Sequence, residues 1–352
     1  MAIYKEFDIQ PANSAESGDV ITNIKDIVSS GMWAEGAASI TSFHTSSVQS
    51  ASSADYYLDI YASDPASDTQ AKSQFSIAYA HFNGSGSKGK MGVVGNRASA
   101  TIYRQLSQTL LGPGEDQFTF AGSGDHIKPK YVYAISVSRQ QLREKMDPGN
   151  WELHLSGSDH TGAGVKLKFI DDSGATTNPE VNQGGRVFNI VSGSIQSGTA
   201  DIKHTAAAQF GGAYGLFYPD LGLLIFNGPV LNASASLSTV TTSNTLGGNN
   251  SKLYEALRSG SLFQSRREEV ITSQHYFCRV PNKEFNFSSN PTFATASDGS
   301  FTQATFFKNP KTFITQVGLY NDAGELLAVA KLSKPLLKSY SREAIIKVKL
   351  DF

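Results

Sequence analysis

Three groups of residues in this 352-residue chain have types and spacings that could do chemistry. The first is Gly84-Ser85-Gly86-Ser87-Lys88-Gly89-Lys90, which fits the opening of a phosphate-binding loop. Such a loop needs Ser or Thr after its last lysine to hold Mg²⁺, and a helix starting there to aim amides at phosphate. Position 91 is Met, and Gly92 and Gly95 oppose an immediate helix, so a hairpin tip accounts better for the segment. The second group is the histidines, His44, His81, His126, His154, His160, His204 and His275. None forms the i, i+4 pair with Glu of a metalloprotease, and none stands at a ligand spacing from Cys278. His154 and His160 flank Asp159, a set that could hold a metal or exchange protons, but a polar turn after a strand explains the same residues. The third is Asp171-Asp172. Paired carboxylates serve glycoside hydrolysis, yet an Asp-Asp-Ser-Gly run is more simply a turn former.

Nucleophilic catalysis finds no better footing. Gly157-Ser158-Asp159 puts aspartate where a nucleophile elbow needs serine. Cys278 sits between Phe277 and Arg279 in an apolar strand, which reads as a buried structural thiol. Arg266-Arg267-Glu268-Glu269 reads as a solvated, self-paired segment. The basic residues Lys331, Lys334, Lys338, Arg342, Lys347 and Lys349 could face an acidic partner or nucleic acid, but they read better as guards of strand edges against unwanted pairing. No catalytic set, metal site or cofactor motif emerges, so the expectation is a non-enzymatic protein without cofactor.

Composition narrows the class further. Hydrophobic content of 39% with 11% aromatics fits a folded protein, and 17% charged residues is low. Gly, Ser, Thr and Asn are plentiful, which favours strands and turns and a surface that meets other protein. A net charge of −1 gives no electrostatic reason to bind nucleic acid or an anionic membrane. With the single cysteine Cys278, an intrachain disulfide is excluded. Met1-Ala2-Ile3-Tyr4-Lys5 lacks the regions of a signal peptide, and no run approaches the ~20 apolar residues of a membrane span. The expectation is synthesis in a cytosol, with no membrane anchor.

The elements are mostly short strands. Residues 1–38 read as a polar, Pro-broken N-terminal arm and a short helix, with Ile3, Tyr4 and Phe7 as contact residues. Strand patterns follow within 39–231, at Ser39–Val48, Tyr56–Tyr61, Phe75–Phe82, Tyr131–Val137, Trp151–Leu155, Val165–Ile170 and Arg186–Val191. Gly215–Phe226 reads as two strands around a Pro-Asp turn. Residues 99–111 form the best helix, with Ile102, Leu106 and Leu110 on one stripe and Gly112-Pro113-Gly114 as its stop. Ser138-Arg139-Gln140-Gln141 predicts a capping box opening a helix to Met146, before a turn at Asp147-Pro148-Gly149-Asn150. Residues 232–251 are low in large apolar side chains and predict a linker or loop between the central domain and a C-terminal one, 252–352. The predicted fold is mainly β, with β-sandwich-like domains, a few short helices and an extended N-terminal arm.

The C-terminal region is the most legible. Phe313–Tyr320 and Leu326–Leu332 flank Asn321-Asp322-Ala323-Gly324, and Asn321, Asp322 and Gly324 suit a type I turn closed by a left-handed glycine. Lys334-Pro335 breaks the run. Ile346, Val348, Leu350 and Phe352 then alternate with Lys347, Lys349 and Asp351 as a half-buried strand. These four apolar residues are expected to contact neighbours, which makes the region an attachment joint.

Five phrases carry a resemblance. They are Ile102-Tyr103-Arg104-Gln105-Leu106, the run from Lys145 to Leu153, Phe217-Tyr218-Pro219-Asp220-Leu221-Gly222, the run from Ile271 to Asn282, and the run from Ile314 to Ala330. In this order they resemble virion structural proteins of T4-like tailed phages of marine cyanobacteria. The last phrase is also similar to the hairpin in baseplate-attaching regions of phage tail fibres. The resemblance implies a virion building block, assembled in the host cytoplasm among other virion proteins and copies of itself. Tail or baseplate is the leading position; neck, collar or head decoration is the alternative. A rival of another class is a carbohydrate-binding adsorption module, in which Trp33, Trp151 and the many tyrosines would stack on host-surface glycan. A hydrolase ranks last.

Overall fold

The computed structural model describes residues 20–46, 56–87, 97–122, 127–156, 166–175, 179–196, 199–204, 214–235, 237, 248–295 and 297–352. The protein is mainly β with short helices, as the strand-rich sequence predicts. It divides into two units, one of residues 28–269 and a smaller one that joins 1–27 to 270–352. Two strands contribute to both units, β1 (Val20–Gly31) and the 19-residue β14 (Leu262–Val280). Residues 1–19 of the expected N-terminal arm lie outside the described residues, and the short helix expected before residue 38 is replaced by strand β1, which runs from Val20 to Gly31.

In the larger unit the strands are β2 (Ser39–Ile40), β3 (His44–Thr45), β4 (Leu58–Tyr61), β5 (Ser73–His81), β6 (Tyr131–Val137), β7 (Lys145–Ser156), β8 (Lys166–Asp171), β9 (Glu180–Asn182), β10 (Gly185–Gln196), β11 (Thr199–His204), β12 (Gly215–Tyr218) and β13 (Leu223–Asn227). Counted from β14, neighbours run β14-β7-β8-β10-β12-β13-β6-β5-β4-β3, and each of these pairs is antiparallel. Strand alternation sorts side chains into two layers. On β6, Tyr133, Ile135 and Val137 enter one core while Val132 and Ala134 enter the other. Phe75 of β5 and Phe263 of β14, seven steps apart in strand order, meet with ring centroids 5.4 Å apart. The sheet therefore curls until distant strands face each other across the first core. Trp33 seals that meeting, 4.8 Å from Phe263 and 5.8 Å from Phe75.

Helix α1 (Ala98–Leu110) covers the second core. Its buried line is Tyr103, Ser107 and Leu110, with Ile102 and Leu106 at the flanks, so the predicted stripe is rotated by about one residue. The Tyr103 hydroxyl fixes the register by accepting the amide of Phe118 at 3.1 Å. Helix α2 (Arg139–Leu142) stops before Met146, and Ser138 makes no side-chain cap; its hydroxyl donates to the Ser73 carbonyl instead. Helices α3 (Gly228–Ser234) and α4 (Gly248–Gly260) occupy both ends of the stretch expected to be a linker. They are ordered because Val230, Leu231, Leu253 and Leu257 are core residues of the larger unit. The division between units accordingly falls after Glu269, not at residue 252.

The predicted turn at Asp147-Pro148-Gly149-Asn150 lies inside β7. Trp151 faces Ser265 and Met146 faces Arg267, so these four residues bulge opposite Arg266 alone. A bulge tolerates proline because no ladder hydrogen bond is lost there. Buried Asp171 anchors it, accepting the Gly149 amide at 2.8 Å and the Ser173 amide at 2.9 Å.

In the smaller unit β14 pairs with β17 (Ala344–Asp351) from Ser273 opposite Asp351 to Val280 opposite Ala344. Strands β15 (Lys311–Tyr320) and β16 (Leu326–Ser339) form a separate two-stranded ribbon. Helix α5 (Thr305–Lys308) precedes it. Lys334-Pro335 does not end β16, contrary to the sequence reading. Ile314 faces Leu336 and Gln316 faces Lys331, which leaves 332–335 bulged opposite Thr315. A small aromatic nest surrounds Phe293, with Phe306 stacked at 4.9 Å and Phe287 and Phe301 edge-on at 5.6 Å.

Candidate functional site

The two units differ sharply in how they treat apolar side chains. Among the described residues, both hydrophobic cores belong wholly to the larger unit. The smaller unit buries only Val280, Phe293, Ala294, Ile346 and Val348, while it holds fourteen of the nineteen exposed large apolar side chains. These include Phe307 at 79%, Phe352 at 73%, Leu327 at 67% and Ile345 at 65% exposure. An isolated two-stranded ribbon is marginal in water, and contiguous exposed apolar residues mark interaction surfaces.

The C-terminal strand separates its residues as the alternation predicts. Ile346 and Val348 are buried, opposite Cys278 and Tyr276; Leu350 is half-buried opposite Gln274, and Phe352 is exposed. The other face of the pair carries polar contacts as well as Phe277 and Ile345. The Ser273 hydroxyl donates to the Asp351 carboxylate at 2.6 Å, and Lys349 reaches the same group at 3.0 Å. These two partners, the hydroxyl first, hold Asp351 below the usual carboxylate range. Ile346 and Val348 thus belong to the smaller unit's own interior, while Ile345 and Phe352 are the exposed large apolar side chains of this strand. Ile345 lies out of phase with the apolar alternation, so the sequence pattern does not single it out. Ile3, Tyr4 and Phe7 lie outside the described residues.

The hairpin turn follows the predicted chemistry. Gly324 has φ +80° and donates its amide to the Asn321 carbonyl at 2.9 Å. The Asn321 side-chain oxygen accepts the Glu325 amide at 2.7 Å, which is the reason for Asn at this position. Beyond the turn, the Tyr320 ring and Leu326 lie against the open side of Gly318.

The other candidates resolve into structural roles. Asp172 accepts the Asn189 amide at 2.9 Å and its side-chain amide at 3.0 Å, so with Asp171 engaged above, both carboxylates are turn and loop anchors. Gly84 to Ser87 form a turn in which the Ser87 hydroxyl bonds Ser99 at 2.7 Å; the lysines of that motif lie outside the described residues. Asp159 and His160 are likewise outside. His154 meets Glu152, two residues away on the same face of β7, and the other Glu152 oxygen accepts the Ile195 amide at 2.6 Å. Burial by itself would raise Glu152, but the bonds from His154 and Ile195, with Lys168 at 3.7 Å, outweigh it and hold the carboxyl low.

Three expectations change. Arg267 and Glu268 are buried rather than solvated: Arg267 bonds Ser30 and Glu269, each at 2.9 Å, and Glu268 pairs with Lys145 at 2.8 Å. Cys278 is half-buried. Lys338 is no edge guard: its ammonium is buried and donates to the Asn282 and Ser339 carbonyls at 3.0 and 3.1 Å and to the Asn286 side chain at 3.1 Å. No group of His, Cys, Asp and Glu suited to a metal ion occurs among the described residues, and no helix there is long and apolar enough to cross a membrane. No protein family, curated protein or solved structure matches the chain.

Proposed function

We propose that this chain is a non-enzymatic structural subunit of a tailed-bacteriophage virion, in the tail or baseplate, whose work is assembly with other virion proteins and copies of itself. The observation that carries the reading is the smaller unit, which has almost no core of its own and shows most of the exposed large apolar residues. Each such side chain gains about 1.5–3 kcal/mol when fully covered. A protein that needs a partner to cover these groups is built for a lasting assembly. The resemblance of the 314–330 run to phage attachment hairpins supports the placement in a virion. The carbohydrate-binding alternative loses its strongest residues, since Trp33 and Trp151 are both buried and cannot stack on sugars.

The test uses exposed positions, because deleting 346–352 would remove Ile346 and Val348 from the unit's own interior. Ile345→Glu with Phe352→Glu should leave the fold intact and exclude the chain from phage particles produced in infected cells. Normal incorporation of that variant would reject the assembly reading.

A further inference from the structure

The ribbon β15–β16 is apolar on both faces. Val317, Leu319, Ala328 and Ala330 share one face by register, while Tyr320, Leu326 and Val329 gather around Gly318 on the other. On this second face Tyr320, Leu326 and Val329 are 43%, 52% and 52% exposed. Its charges are segregated along its length. Exposed Asp322 and Glu325 stand at the tip, and exposed Lys331 and Lys334 stand toward the stem, Lys331 on the same face as Val329. With a rise of about 3.4 Å per residue, tip and stem charges are separated by roughly 15–25 Å.

We propose that this ribbon packs its Tyr320–Leu326–Val329 face on the same face of a second copy of this chain, inverted so that the tip of each meets the stem of the other. Charge complementarity selects the occupant and its direction. Inversion about a two-fold axis near the Gly318–Val329 pair brings each acidic tip beside the partner's lysines, twice per dimer, whereas a parallel stack would place like charges together. The apolar residues around Gly318 form the centre of the contact, with the charges at its rim. This deepens the assembly reading and rests on it.

A charge-swap series measured by analytical ultracentrifugation at low ionic strength tests it. Asp322→Lys with Glu325→Lys should weaken self-association at least tenfold, and so should Lys331→Glu with Lys334→Glu. All four changes on one chain should restore it, and an equimolar mixture of the two double variants should form heterodimers. Only a self-complementary contact is rescued in this way. A four-fold variant no better than either double variant, or a wild-type chain that stays monomeric, would overturn the proposal. Circular dichroism of each variant checks that the fold survives. Particles separate the two readings: a chain that fails to self-associate yet still enters virions removes this inference and leaves the assembly function standing.

Discussion

The Lys347 ammonium stands 5.7 Å from the centre of the Phe277 ring, across the β14–β17 pair and on the face opposite Ile346 and Val348. Such a cation–π contact at an exposed site is worth roughly 0.5–1 kcal/mol. The buried face holds more. Lys347→Gln should cost no more than about 1 kcal/mol, while Val348→Ser, which removes methyl groups and buries a hydroxyl, should cost about 2–3 kcal/mol. Amide exchange along β17 in increasing denaturant reads both, and equal losses would contradict the assignment of faces.

Gly324 supplies the second prediction. Its φ of +80° is a conformation that L-residues with a Cβ adopt at a cost of about 1–2 kcal/mol. Gly324→Ala should therefore speed exchange of the β15–β16 amides by about five- to thirty-fold, and Gly324→Asn by less, since Asn tolerates this region. Nothing crowds a Cβ there, so strain in the backbone is the whole expected effect.

Much of this architecture is legible in the sequence, and what is not has identifiable causes. The turn at Asn321–Gly324 and the alternation from Ile346 to Phe352 are local signals, complete within a few residues. The bulges at Pro148 and Pro335 break period-2 alternation, so each reads as the end of a strand although the strand resumes four residues later. Arg267 and Glu268 look solvated because Ser30 and Lys145, which let them be buried, are more than a hundred residues away. Lys338 hides for the same reason, its ammonium being satisfied by the 282–286 loop. The boundary between units is invisible because β14 passes through it with no change in composition.

Glu152 gives a prediction in pH. Its carboxyl titrates below the ordinary Glu value in the folded chain, so the unfolded chain binds more protons in the acid range. The stabilisation it provides is fully present above the unfolded Glu range and is lost as pH falls through its lowered folded value. Glu152→Gln should be less stable than wild type at neutral pH, and the gap should close on acidification. Urea unfolding of both proteins at steps from neutral pH down to about pH 3 measures it, and a gap that widens on acidification would contradict the sign.

Asp171 is the opposite case. Burial pushes its carboxyl up, although three donors from Gly149 and Ser173 oppose the shift. Asp171→Ala leaves the Gly149 and Ser173 amides without their acceptor and should cost about 2–3 kcal/mol. Protease cleavage within 147–150 checks this, since the bulge loses its anchor before the flanking strands separate.

The smaller unit is assembled from two pieces of chain, the residues before 28 and those after 269, while the larger unit is one continuous stretch. Bringing β1 beside β14 requires closing a loop of more than two hundred residues, a slow step by chain entropy alone. The larger unit closes that loop as it forms, because β1 and β14 each begin or end inside it. The expected order is therefore the larger unit first and the β1–β14 pairing after it. A chain that follows this order completes the pairing of β1 with β14 last, after the larger unit has already met the entropic cost of that long closure.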